Sequence, residues 1–266
     1  MKIIFSRKGF DTGSGGAPSP IINGVPVSLP IPGNATEPNR YQDIEHPRAG
    51  NLGEIVEDVS NERILRTHHA HYDPILPWEW GPAALGQVSD AQAHLDNQGV
   101  DVGDVFVFFG LFKAKQQNGQ QRLPDHSAHH RIFGMLRVEE RARLGLNPAA
   151  PQDHPWGHHC HFHRNPGART RNPENNTLWT GEGQMAHSAI PELRLSLDPP
   201  DNKSIWSIPA WLTHHRMSYH PRLDQWEGNT VRTVARGQEF VSDVGNDADA
   251  AQWVQNLREL LNRAPG

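Results

Sequence analysis

Apolar positions along the chain come in short runs rather than long periodic stretches. Residues 2–6 (Lys-Ile-Ile-Phe-Ser) alternate weakly and are rich in β-formers, which predicts a strand running into a loop at Arg7 to Asp11. Residues 12–33 are dense in Gly and Pro and leave room only for short extended pieces such as 25–29. A helix is expected to begin near Asn51 or Ser60 and run toward Arg66. Another is expected over 90–98, where Ala91, His94 and Leu95 share a face and Gly99 follows as a C-terminal glycine. Residues 104–109 (Asp-Val-Phe-Val-Phe-Phe) form a nearly continuous apolar run, the mark of a strand buried on both faces. A polar loop separates them from 131–138, expected as the antiparallel neighbour. Residues 145–176 read as a long loop or lid. Short strands are expected at 176–180, 193–197, 230–234 and 238–241, while 207–216 fits either helix or strand. The clearest amphipathic helix is 247–262, with Ala250, Trp253, Leu257, Leu260 and Leu261 on one stripe.

Strands surround the few helices without a βαβ rhythm. The expected class is α+β with a mainly antiparallel sheet, in one domain over 1–266. The pairing of 103–110 with 132–138 resembles the strand pair of PUA-like barrels that read modified bases, so a PUA-like barrel is the specific expectation.

Composition narrows the function. With 25 Lys and Arg against 30 Asp and Glu, the net charge of −5 argues against a long duplex footprint, which requires many phosphates to be neutralised. The 24 glycines and 22 prolines make roughly one residue in six, above the ordinary share, and disfavour helical bundles. No apolar run is long enough for a membrane helix, and the N-terminus lacks the apolar core of a signal peptide, so a cytoplasmic protein with no membrane partner is expected. The single cysteine, Cys160, excludes an internal disulfide and any CxxC site. The unusual number is 17 histidines.

Four segments offer chemistry. Ser6-Arg7-Lys8-Gly9-Phe10-Asp11, followed by Ser14-Gly15-Gly16, places two cations and free amides after a strand, where they could cradle phosphate. In His68-His69-Ala70-His71-Tyr72-Asp73, an extended chain points His69, His71 and Asp73 the same way, a set able to ligate a divalent metal. In 154–163, His159, His161 and His163 would share a strand face, or His159 and His163 one helix face. Histidine tracts bind metal adventitiously, which ranks this segment lower. Arg232 to Phe240 brings Arg236, Gln238 and Glu239 between two strands. Gln can read a base edge, and Glu can act as acid or base. His126, His129 and His130 enter a strand from a loop. The eight tryptophans could stack on bases, although most are expected in the core.

Several segments in order resemble the nucleotide modification associated domain 3 family: 1–11, 18–21, 28–32, His71-Tyr72-Asp73-Pro74, Gly86-Gln87 with 91–95, 103–112, 131–138, 176–179 and 236–241. The resemblance covers nearly the whole chain, but not the histidine-rich 154–163 segment. It implies a place in phage or bacterial systems that modify DNA bases or nucleotides. On that reading the partner is a nucleotide or DNA base. Arg7 and Lys8 hold phosphate. Gln87, Gln92, His94, His130, Arg236 and Gln238 contact substrate. Asp11, Asp73, Glu239 and His71 are the candidate catalytic groups. The alternatives are a non-catalytic reader of modified bases and a metalloenzyme acting on a small molecule. The last would hold a divalent metal through His69, His71 and Asp73.

Overall fold

The computed structural model describes residues 1–115, 127–146, 153–163, 172–197, 202–234 and 239–264. Its centre is a sheet whose main path runs Glu239–Asp243, Lys2–Arg7, Val105–Ala114, His129–Arg143, Asn176–Met185, Gly81–Val88. Ser19–Ile22 and Val25–Pro26 extend the far end of Val105–Ala114. Neighbours are antiparallel except where Val105–Ala114 lies parallel to Lys2–Arg7 and to Ser19–Ile22. The expected antiparallel pairing holds, with Met135 opposite Val107.

The apolar run at 105–109 is buried on both faces because its side chains alternate between two cores. Val105, Val107 and Phe109 pack with Ile3, Phe5 and Trp206 beneath α4 (Ala210–His215) and α5 (Ala248–Leu261). Phe106 and Phe108 pack on the other side with Ile4, Leu136, Trp179 and Leu95 of α2 (Ser89–Asn97). Each such side chain contributes roughly 1.5–3 kcal/mol on burial. The stripe on α5 faces inward as patterned, and Asp247 caps it by accepting from the Asp249 and Ala250 amides. A third cluster, Phe10, Val27, Leu29, Tyr41, Ile44 and Ala70 with α1 (Leu52–Ser60), anchors the Gly/Pro-rich segment and the strand Ala70–His71 that follows it.

The structure departs from the expected elements in several places. The strands do not close into a barrel. Glu239–Asp243 and Gly81–Val88 are the two ends of the path, with no ladder between them, and α2 packs against both. Gly81–Val88 itself carries no strand signal, being Gly, Pro and Ala rich; its ladder to Asn176–Met185 and its burial hold it extended. Residues 193–197 make isolated bridges rather than a strand, after a 3-10 turn at Pro191–Leu193. The helix near residue 51 starts at the Asn51 cap and ends at Ser60. The 207–216 segment resolves into the end of the strand Ile205–Ser207 and then α4. No helix among the described residues is long and apolar enough to cross a membrane.

His130 belongs to this core. The Trp206 indole donates to its Nδ1 at 3.0 Å. Burial, aided by the charges of Arg7, Lys203 and His129, pushes the imidazole down to about 3. The unfolded chain protonates this group near its ordinary value, so the stability it confers is full above roughly pH 6.5 and declines as pH falls toward 3. Between pH 7 and pH 5 the loss from this one group is about 2 kcal/mol, or about 4–8 °C in Tm. His130→Gln should shrink the Tm difference between those two pH values by that amount, read by thermal denaturation. Equal pH sensitivity in both proteins would remove His130 from that role.

Candidate active site

At the end of the sheet where its two edges approach lies a cavity of about 890 Å³. Pockets that hold small molecules run roughly 300–1,000 Å³. Its walls come from the end of Lys2–Arg7 and the loop after it, the 31–37 loop, His71 and Asp73, the end of Gly81–Val88, the start of α2, His161, Tyr219 and Glu239.

Lys8 stands at the centre of the wall. Its ammonium lies 3.4 Å from Glu239 and 3.9 Å from Asp73, and all three side chains are nearly withdrawn from water. Glu239 Oε1 also accepts from the Ser6 hydroxyl at 3.0 Å and from the Gln87 amide. Its other oxygen, Oε2, is buried with no hydrogen-bond partner among the described residues. Burial pushes the Glu239 carboxyl up; Lys8 and Ser6 oppose this, and the nearby Asp73 reinforces it. Asp73 goes the other way. Burial alone would raise it, but the close approach of the His159 imidazole, at 3.2 Å, and the charges of Lys8, His161 and His159 outweigh that and hold it well below the carboxylate range. The Gly86 amide also donates to Asp73 at 2.7 Å.

A histidine wall adjoins this acid pair. The histidine-rich segment is turned here, and its last four residues form the one-turn helix α3 (Cys160–His163). The turn aims His159 and His161 inward, at 3.2 and 3.9 Å from Asp73. The His71 and His161 rings are 5.2 Å apart, with Cys160 beside them. Gly86 makes this packing feasible, since a Cβ there would come within 2.0 Å of the His161 ring. On the opposite rim His94 hydrogen-bonds Ser218 and lies against the half-exposed Tyr219, ring centres 4.4 Å apart. Burial pushes the His94 imidazole down.

The predicted residues distribute unevenly. Lys8, Arg7, Asp11, Gln87, His71, Asp73, His94 and Glu239 all line the cavity. Several groups of the phosphate cradle expected at 6–16 have partners within the protein. Asp11 accepts from the Gly13 and Ser14 amides, and its carbonyl from Gly16. The Arg7 guanidinium lies over Phe109 and Phe240 and donates to the Val234 carbonyl. Gln92 is in the core between Asp96 and Trp179, and His130 is in the core beneath Trp206. His69 does not line the cavity; its Nδ1 meets the Glu37 carbonyl. The strand alternation that would have aligned His69, His71 and Asp73 breaks at a turn closed from the Tyr72 amide to the Ala70 carbonyl. Arg236, Gln238 and His126 lie outside the described residues. Sequence reasoning gave no role to Glu37, Asn176 or Tyr219, and ranked His159, Cys160 and His161 low. The available signal was the chain's one cysteine set within a histidine tract.

Fold and cavity together define an α+β protein with a recessed site of acid, amide and imidazole groups. A model of the nucleotide modification associated domain 3 family matches residues 2–243, and the chain belongs to that family. Membership associates it with nucleotide modification. Neither curated proteins nor solved structures gave a match.

Gly86→Ala should cost about 1–3 kcal/mol of stability, because the His161 ring is fully buried and held by Asn176. Urea denaturation measures this. An unchanged midpoint would mean that His161 does not rest on Gly86.

Proposed function

We propose that the cavity receives a nucleobase, on a free nucleotide or turned out of DNA, and that Glu239 transfers a proton to or from it. The observation that carries the reading is Glu239, a residue of the cavity wall whose Oε2 is buried and has no partner among the described residues, while three donors fix its twin. An orphaned buried acceptor is costly unless something occupies it. A ring N–H or exocyclic amine supplies the missing donor. Burial moves the Glu239 carboxyl upward, the direction a proton-transferring acid requires.

The charge balance supports the base rather than the phosphate as the deep end of the ligand. The lining acids are Asp11, Glu37, Asp73, Asp90 and Glu239, against the cations Arg7 and Lys8. Both cations already have protein partners. Tyr219, with His94 behind it, offers a face on which a base can stack.

A thermal-shift panel of nucleosides, nucleotides and short single- and double-stranded oligonucleotides tests this. Ligand at 100 times its Kd adds about 2.7 kcal/mol of stability, a rise of about 5–10 °C for a chain of this size. Tyr219→Ala should weaken the responding ligand about 5- to 150-fold, the worth of one stacked base. Glu239→Gln should keep binding but abolish product formation, followed by mass spectrometry of the incubated ligand. Binding without product in the unaltered protein would make it a reader of bases. A flat panel would refute the nucleobase reading.

A further inference from the structure

We propose that His71, Cys160 and His161 bind one divalent transition metal of the zinc type at the inner end of the cavity. One ligand atom from each lies within 4.8 Å of the other two. Around a tetrahedral ion with bonds of about 2.0–2.3 Å, ligands stand roughly 3.3–3.8 Å apart, so modest inward movement closes the set. Two imidazoles and a thiolate are the donors that a borderline ion prefers over calcium or magnesium.

The surroundings of the two histidines are the independent observation. Each has its Nδ1 held by a buried oxygen acceptor: Glu37 Oε1 at 3.0 Å for His71, and Asn176 Oδ1 at 3.0 Å for His161. That pattern places the proton on Nδ1 and leaves Nε2 as the donor atom, as in carboxylate–histidine–metal arrangements. Asn176 is itself fixed, because its amide donates to the His161 carbonyl at 3.1 Å. Glu37 and Asn176 come from distant parts of the chain yet do the same job.

His71 and His161 line the cavity while Cys160 lies buried behind them. The ion would therefore keep a face toward the cavity. Asp73 Oδ2, 3.9 Å from His161 Nε2, is placed to be a fourth ligand or to accept from a bound water. Three protein ligands with an open position is the arrangement of a reactive rather than a structural zinc. This site shares the nucleobase cavity but stands on different residues, so metal binding and base binding can succeed or fail separately.

The test is metal analysis of the purified protein, then chelator stripping and titration with Co²⁺. The expected result is one equivalent bound, with visible bands of a tetrahedral ion and a near-ultraviolet thiolate-to-cobalt band. Cys160 is the only cysteine in the chain, so that band reports Cys160 even if Cys160→Ser does not fold. His71→Gln should abolish high-affinity binding, and Asn176→Ala should weaken it about 10- to 100-fold, with folding checked by circular dichroism. Absence of the thiolate band, or binding unchanged in His71→Gln, would overturn the proposal. The latter would assign the metal to the remaining histidines of the 154–163 tract.

Discussion

The arrangement depends on one buried ammonium. Lys8 brings its charge into a wall that water barely reaches, and two carboxylates meet it there. A buried cation without a counter-charge is strongly unfavourable, and removing one partner from such a set costs about 3–5 kcal/mol. The chain must therefore bring Asp73 and Glu239 to the end of its first strand. That requirement draws the 30–73 segment over the cavity and fixes where the last strand begins. It also splits the duties of the two acids. Asp73 gathers His159, His161 and the Gly86 amide and stays ionised, whereas Glu239 is left with a buried oxygen that has no partner among the described residues.

The sheet edge is the second organising feature. Strands at the two ends of the path meet through the Gln87–Glu239 side-chain bond and through α2, not through a backbone ladder. The cavity opens at this seam. Its position lets residues from both edges face one ligand while the central strands carry the packing.

Much of this was legible in the chain. The doubly buried run at 105–109, its antiparallel neighbour and the amphipathic C-terminal helix follow from pattern alone. So do Lys8, Asp73, Gln87 and Glu239 as candidates. What escaped had physical reasons. Gly81–Val88 is a strand because its neighbours bury it, and its small residues carry no intrinsic preference. His69 was paired with His71 by assuming unbroken alternation, which one tight turn ends. The inward aim of His159 and His161 is set by tertiary contacts with Asp73 and Asn176, invisible in a tract that looks like exposed histidine. Nor could pattern show that Asp11 takes up the Gly13, Ser14 and Gly16 amides of the loop after the first strand.

Closing the seam with a side-chain clasp has a consequence for how the protein can change. A ladder is made of main-chain groups, identical whatever the side chains, and altering it disturbs the whole sheet. In a clasp of one amide and one acid, the amide, Gln87, can be exchanged without moving a strand, while the acid stays to meet Lys8. The amide side of the cavity is thus uncoupled from the architecture that frames it. Substitutions at position 87 would retune what the site recognises while the cores on either side keep their packing.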